Sequence, residues 1–494
     1  MPIKNIHSPK VGFFRFKRLG QDYLLTNDMG NYAYLNPSIF NRLLESKLDA
    51  GRQEYNILKE KGFIHDKASL ARPALYRAIE TYSLKNASLG KGTSLHIVVV
   101  TLRCDHLCVY CHASAKNFKL TNLDMNIETA RQVVERIFES PNPNIAIEFQ
   151  GGEPLLNFGT LKFIIEYAQE KNKTINKELL ITLVTNLSTM NTECLKYLCK
   201  KKISLCTSID GPEAVHNKNR KVLSGINSYR HTISWFKRAQ KQYFGRVIYR
   251  PNALTTVTKY SLSYPEEIVN EYIKLGLEGV HLRQLNPFGL ARKAWQQIGY
   301  SAQEFVDFYK KAFDYILKLN LKGRVFYERT ACIFLRKILT DSDPNYFDLR
   351  SPCGAGIGQL AYNYNGDVYL CDEGRMLSRM GDESFKIGNV VQNSYNALIS
   401  SDTVRAVCTA SLLDILPQCS ICVYKPYCGV CPIYNYSQEG NIFTQMPNNE
   451  RCKINMAILD YLFEKLKDKK TEKILRKWID ADRRPPAVRM RRGQ

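Results

Sequence analysis

Cys104, Cys108 and Cys111 stand in the spacing Cys-x3-Cys-x2-Cys, directly after the apolar run His96 to Leu102. Three thiolates this close on one loop can converge on a cubane iron–sulfur cluster. They leave one iron without a protein ligand, and an open position lets a cluster bind and act on a substrate rather than only carry electrons. The same thiolates could hold a structural zinc ion, with His112 as a fourth ligand. A second stretch, Glu148-Phe149-Gln150-Gly151-Gly152-Glu153-Pro154-Leu155, overlaps the end of the apolar run Ile145 to Phe149. Its glycines let the backbone approach a ligand closely, and Glu153 can accept from an ammonium group.

The later cysteines form a second concentration. Cys353 precedes Gly366-x4-Cys371, and Cys419-x2-Cys422-x5-Cys428-x2-Cys431 is followed by Cys452. Such a density suits further iron–sulfur clusters or a pair of zinc knuckles, and spacing does not distinguish the metals. Asp372 follows Cys371. An acid placed between a cluster and a substrate can take a proton during an oxidation. A turn residue in Asp372-Glu373-Gly374 is the plainer reading. Cys194, Cys199 and Cys206 match no motif and read as small buried hydrophobes.

The elements that must position these groups can be read from periodicity. A length of 494 residues predicts two to four domains. Residues 1–90 read as a separate module. Phe13 to Leu19 and Tyr23 to Thr26 flank a Gly20-Gln21-Asp22 turn, and Tyr32 to Leu35 makes a third strand. Asn36-Pro37-Ser38 opens a helix, and a second helix runs toward Leu58 and ends at Gly62. Strands followed by short helices suggest a winged-helix-like binding module. Residues 91–335 alternate strands with helices. The strands are His96 to Leu102, Ile145 to Phe149, Leu180 to Val184, Ser204 to Ser208, Arg246 to Tyr249 and Gly279 to Leu282. The helices include Ile127 to Glu139, Thr160 to Lys171 and Pro265 to Leu275. Such alternation predicts an α/β fold with a parallel sheet, open or closing toward a barrel, and chemistry at the C-terminal strand ends. The motifs fall at those ends, as do Thr185-Asn186 and Ser208-Ile209-Asp210-Gly211-Pro212, with His216 and Arg220 after them. Residues 336–460 are loop-rich and need a staple that their cysteines can supply. Residues 461–494 carry a helix, read from Asn455 to Lys477, and a basic tail from Asp482 to Gln494.

The three-cysteine spacing with Tyr110 before its last member, and the Gly-Gly-Glu-Pro segment, together resemble the radical S-adenosylmethionine (SAM) superfamily. The resemblance implies a partial (β/α)6 TIM-like barrel and a [4Fe–4S] cluster on Cys104, Cys108 and Cys111. It implies SAM held by Gly151, Gly152, Glu153 and Pro154, with Asn186, Ser208 and Asp210 nearby and the last two on ribose hydroxyls. It further implies reductive cleavage of SAM to a 5′-deoxyadenosyl radical that abstracts hydrogen from an unactivated C–H. The later cysteines resemble the SPASM extension of peptide-modifying relatives. That likeness assigns Cys419, Cys422, Cys428 and Cys452 to one auxiliary [4Fe–4S] cluster and Cys353, Cys371 and Cys431 to another. Cys332 and Cys408 are candidates for the missing ligand. The family form often places three residues between its last close pair, where Cys428 and Cys431 have two. In sulfatase-maturing relatives an aspartate at the position of Asp372 is a catalytic base. The N-terminal module is similar to leader-peptide recognition elements, which add a peptide as a strand to a sheet edge. With Tyr23-Leu24-Leu25-Thr26-Asn27-Asp28 and Leu285-Asn286-Pro287-Phe288-Gly289, the chain resembles the His-Xaa-Ser system radical SAM maturases. A ribosomally made precursor peptide with His-Xaa-Ser repeats and a second radical SAM maturase of that system are then the expected partners.

Composition bounds the remaining classes. No run approaches the ~18 apolar residues of a membrane span. Met1-Pro2-Ile3-Lys4 lacks a signal-peptide pattern, so the expected compartment is the cytoplasm, where cysteines stay reduced. The net charge of +23 has no basic-aromatic helix to focus it, so nucleic acid is not an expected partner, although a zinc nucleic-acid-binding protein remains the rival of another class. The basic surface suits docking of an acidic reductant such as a flavodoxin or ferredoxin. Within enzymes, the rival is oxidation of a Cys or Ser of a sulfatase.

Overall fold

The computed structural model describes residues 10–65, 72–244 and 250–483. The strand expected at Arg246 to Tyr249 and most of the basic tail lie outside the described residues.

Near the N-terminus, β1 (Arg15–Leu19), β2 (Asp22–Thr26) and β3 (Tyr32–Leu35) form an antiparallel sheet, with the tight turn at Gly20 in left-handed backbone, φ 64°. Helices Pro37–Leu44 and Gln53–Glu60 follow. The first is capped by Asn36, whose Oδ1 accepts from the Ile39 amide at 2.9 Å. Leu25, Leu35, Phe40, Leu43, Tyr55, Leu58 and Phe63 close a small core of their own.

The centre of the molecule is a nine-stranded sheet. Its parallel series is β4 (Leu95–Val99), β5 (Asn144–Gln150), β6 (Glu178–Thr185), β7 (Ser204–Ser208), β8 (Asn252–Thr256) and β9 (Leu282–Arg283). Each lies beside its predecessor in sequence, as short connections between consecutive elements favour. Alternation along β5 sends Ile145, Ile147 and Phe149 into an apolar core with Val133, Ile137, Leu161 and Ile165 of the covering helices Ile127–Phe138 and Phe158–Ile175. Ala146, Glu148 and Gln150 therefore point to the opposite, inner face.

The sheet does not stop with the alternating region. β10 (Gln359–Tyr362) pairs in parallel with β4, and β11 (Asp367–Tyr369) and β12 (Lys386–Asn389) extend it antiparallel. The cysteine-rich stretch is thus hydrogen-bonded to the first strand of the parallel series. The expected strand Gly279 to Leu282 is split. Gly279–Val280 pairs with Tyr327–Glu328, while Leu282–Arg283 pairs with β8. The segment read as one helix from Asn455 to Lys477 is two, Glu450–Leu466 and Lys469–Arg483. Asp468 causes the break, because its carboxylate accepts from the Thr471 amide at 2.9 Å and starts a new helix. That helix runs through Asp482 and Arg483, which were read as tail. Phe313 of helix Ala302–Leu321 packs edge-on against Tyr461 and Trp478, joining both C-terminal helices to the main core.

Candidate active site

Four strand ends converge. β4 leads through Thr101 into the three-cysteine loop, β5 into Gly151, β6 into Asn186 and β7 into Asp210. The loop is pinned on two sides: Arg103–Cys104 pairs with Lys116–Asn117, and His106–Cys108 pairs antiparallel with Arg220–Val222, Cys108 opposite Arg220. Cys104 and Cys108 are buried, and Cys111 is partly so. Backbone amides already point at two of the sulfurs, His106 N at Cys104 Sγ (3.4 Å) and Ala115 N at Cys111 Sγ (3.4 Å). Burial pushes the Cys104 thiol well up and the Cys108 thiol up to about 12, with Arg220 opposing the latter. Such thiols ionise when a metal binds them.

The two glycines fit against this loop. A Cβ on Gly151 would lie 2.3 Å from Thr101 O, and one on Gly152 would lie 2.0 Å from Arg103 O. The close approach they permit is to the backbone that leads into Cys104. The Gly152 amide donates to Thr101 O (3.0 Å) and the Glu153 amide to Arg103 O (2.7 Å). Pro154 begins a buried single turn. The Glu153 side chain is fully buried. Its carboxylate accepts from Leu155 N (3.0 Å), Thr185 Oγ1 (2.7 Å) and Asn186 N (2.8 Å), which leaves room for one more donor. Burial raises it to about 7, against those three hydrogen bonds.

Asn186 reaches across to the cysteine loop, with Nδ2 3.6 Å from Cys104 Sγ, 3.2 Å from Asp105 Oδ1 and 2.9 Å from His106 Nδ1. Ser208 is partly exposed on the sheet, whereas Asp210 is fully buried. The Asp210 carboxylate accepts from the Tyr110 hydroxyl on both oxygens (2.7 and 3.0 Å) and from Thr256 N (3.2 Å). It is engaged with Tyr110 of the cysteine loop, an arrangement that the strand-end reading did not foresee.

The seven later cysteines separate into two groups. Cys419, Cys422, Cys428 and Cys452 line one cavity with Leu413, Val430 and Met446. Burial and then their mutual charges push Cys419 and Cys452 up to about 12 and Cys428 up to about 11. Cys353, Cys371 and Cys431 share an apolar pocket with Phe288, Leu370 and Phe385. Cys371 Sγ accepts from Gly374 N and Cys431 Sγ from Tyr434 N, both at 3.4 Å, so each sulfur caps a helix N-terminus, while burial pushes the Cys371 thiol well up and the Cys431 thiol up to about 12. Cys431 also borders the first cavity. Of the two candidates for a further ligand, Cys408 packs against this pocket, while Cys332 is buried in the main core with its thiol toward Trp478 O at 3.8 Å. Cys194 and Cys199 are core residues, as expected. Cys206 faces the inner side with Glu148, and burial raises its thiol to about 12.

Asp372 is held by a fully buried guanidinium, its Oδ1 2.8 Å from Arg375 Nε and 2.7 Å from Nη2. A second cavity beside β9 is lined by His281, Arg283, Asn286, Tyr346, Asp348 and Arg451, with Asp348 paired to Arg451 at 3.3 Å. Periodicity had marked none of these six as functional. The usable signal was polar residues at strand ends otherwise apolar, as at Arg283. Among the described residues, buried His112 Nε2, Gln284 Oε1, Asn286 Oδ1 and Arg451 Nη1 find no hydrogen-bond partner, so this region could satisfy a polar ligand.

Residues 98–270 match the radical SAM superfamily. The chain carries a radical SAM domain. It is an enzyme, and its cofactors are SAM and [4Fe–4S] iron–sulfur clusters. Among curated proteins, it is 24% identical to the cysteine-type anaerobic sulfatase-maturating enzyme of Clostridium perfringens, over 76% of this chain and 97% of that one. An uncharacterized protein of Methanocaldococcus jannaschii is 28% identical over 58% of this chain and 87% of its own. The structure of native anSMEcpe with bound AdoMet superposes with a TM-score of 0.63 at 20% identity, covering 78% of this chain and 99% of that one. Streptococcus suis SuiB bound to precursor peptide SuiA gives 0.52 at 15% identity, covering 88% and 98%. These likenesses establish the α/β radical SAM fold with its central, mostly parallel sheet.

The donor set suits the cofactors. Three thiols on one loop, two of them facing amide donors and one beside a buried cation, fit an anionic iron–sulfur cluster. A single tetrahedral zinc ion at bonds of about 2.3 Å would draw its sulfurs to within about 4 Å of one another. Among the described residues, the set of ligand atoms within 4.8 Å of each other is Cys104, Asp105 and His106. Of these, Asp105 and His106 bond each other (3.0 Å) and the neighbouring Ser188 and Ser228.

Proposed function

We propose that this radical SAM enzyme modifies a ribosomally made peptide bearing His-Xaa-Ser repeats. The observation that supports a peptide modifier is the gathering of seven cysteines, four around one cavity and three in a buried cluster whose Cys431 borders both, in a region hydrogen-bonded to the central sheet; the repeat type rests on the resemblance of the Tyr23 to Asp28 and Leu285 to Gly289 segments. Cys104, Cys108 and Cys111 would hold the SAM-binding cluster. Cys419, Cys422, Cys428 and Cys452 would hold one auxiliary cluster, and Cys353, Cys371 and Cys431 another. Bound cluster and SAM supply a radical that abstracts hydrogen.

This chain's residues do the rest. Gly151 and Gly152 let the β5 end seat the cysteine loop, and Glu153 keeps one lone pair for the amino group of SAM. Asn186 orients Cys104, and Ser208 is free to meet a ribose hydroxyl. Asp372 would accept the substrate's proton only by loosening its pair with Arg375. Residues 1–90 serve as the winged-helix-like peptide-recognition module, 91–335 as the partial barrel, 336–460 as the SPASM unit, and 461–494 as helix and tail. The similarity of SuiB, solved with its precursor peptide, supports a peptide substrate. A second radical SAM maturase, a flavodoxin or ferredoxin reductant and a cytoplasmic location complete the proposal. No helix among the described residues is long and apolar enough to cross a membrane.

Metal analysis and mass spectrometry test this reading. Anaerobically prepared protein should hold about twelve irons per chain, falling by about four when Cys104, Cys108 and Cys111 are replaced together. A content of about four irons would remove both auxiliary clusters. Incubated with SAM and reductant, a His-Xaa-Ser peptide should lose two hydrogens and keep its side-chain atoms. The sulfatase-maturating relative favours a second reading, oxidation of a protein Cys or Ser to an aldehyde; from Ser this is the same loss of two hydrogens, so trapping by a hydrazide reagent decides, the crosslinked product being unreactive.

A further inference from the structure

We propose that Arg220, held through Tyr110 against Asp210, sets the charge and position of the three-cysteine site. Arg220 is thereby a positioning residue for the reaction. This inference rests on the reading of that site as a cluster site.

Arg220 is 8% exposed and lies opposite Cys108 in the short ribbon that pins the loop. The ribbon is extended at both ends, by Val109 N to Asn219 O and Leu223 N to Asp105 O, both 2.9 Å. Arg220 Nη1 donates to the Tyr110 hydroxyl at 2.8 Å, and that hydroxyl donates to Asp210. The guanidinium and the carboxylate are therefore joined through Tyr110, inside the span from Cys108 to Cys111. Asn219, beside Arg220, is tied to the turn that follows β8 by Thr258 Oγ1, which donates to Asn219 Oδ1 at 3.0 Å. His106 and His216 share Ser228 Oγ at 3.1 Å each, which ties the cysteine loop to the helix that follows β7. Arg220, paired opposite Cys108, is a cation acting on that thiol, and Asp210 and Asp105 act on it from the acidic side.

Reduction by a one-electron donor adds one negative charge to a cluster on three thiolates. A buried cation beside one thiolate favours that reduced state, and a buried carboxylate opposes it. The two residues should therefore act in opposite directions, which a scaffolding role would not produce.

The test is an EPR-monitored redox titration of the reconstituted full chain, following the cluster whose signal changes when SAM is added. Iron and sulfide are measured first for every variant. Arg220→Met should shift the midpoint potential down, Arg220→Lys should stay near wild type, and Asp210→Asn should shift it up. Fully loaded Arg220→Met and Asp210→Asn proteins with unchanged potentials, or with shifts of the same sign, would overturn the proposal. If Arg220→Met does not load, Asp210→Asn decides: an upward shift supports the assignment and no shift overturns it. A wild-type chain that never binds a SAM-responsive cluster defeats the site reading itself.

Discussion

Glu153 shows how one buried carboxylate joins two strand ends. It takes hydrogen bonds from its own turn, from Thr185 and from the Asn186 backbone, yet burial still raises it to about 7 from an ordinary 4.5. A raised acid binds its proton more tightly folded than unfolded. Its contribution is therefore fully present below about pH 4.5 and is lost as pH climbs through 7, on the order of 3 kcal/mol. Denaturant unfolding of the metal-free protein across that range should show this decline in wild type, and Glu153→Gln should lessen it by about that amount, leaving the share of other buried acids such as Glu373, which burial likewise raises to about 7. The Gly-Gly-Glu-Pro segment announced Glu153 in the sequence. Its partners Thr185 and Asn186, more than thirty positions away, could not be read there, because hydrogen bonds across strands depend on sheet order. Asp210 carries the same lesson. Its place at a strand end was legible, but its engagement with Tyr110 was not.

Among the elements, the β5 end and the cysteine loop touch backbone to backbone. A methyl group at residue 152 would sit 2.0 Å from the Arg103 carbonyl oxygen, which no side chain can move aside to relieve. Gly152→Ala should therefore cost at least about 1–3 kcal/mol in unfolding free energy, as overpacking does, and lower the iron bound per chain by about four. Thermal melts and iron analysis would check both. Gly289 makes a similar contact, because a Cβ there would lie 2.5 Å from Cys111 O at a φ of 58°. The long strands and helices of the parallel series were legible because apolar periodicity is strong over five or more residues, as in β5 and β6. β10 to β12 escaped notice because three or four residues carry too little pattern, and Asp468 broke a helix that periodicity alone would have continued.

At the scale of the whole molecule, the N-terminal module rests on the cysteine-rich region. Arg15 Nε donates to Ser420 O (2.5 Å), Thr26 Oγ1 to Val423 O (2.7 Å) and Tyr427 OH to Gly30 O (3.0 Å). Lys17 pairs with Asp460, and the Tyr34 hydroxyl donates to Phe463 O at 2.6 Å. Ser420, Val423 and Tyr427 lie within or between the members of Cys419, Cys422 and Cys428. The seat of the module is thus the same short stretch that would wrap metal. Whatever stiffens that stretch must also tighten the module's grip, and by reciprocity a docked module must favour loading. Chelation should accordingly speed protease release of a fragment of about ninety residues, measured by gel after limited digestion, and reconstitution should slow it again. Under the proposed function, a peptide held by the module would then be gripped most firmly by those molecules whose metal centre is already built.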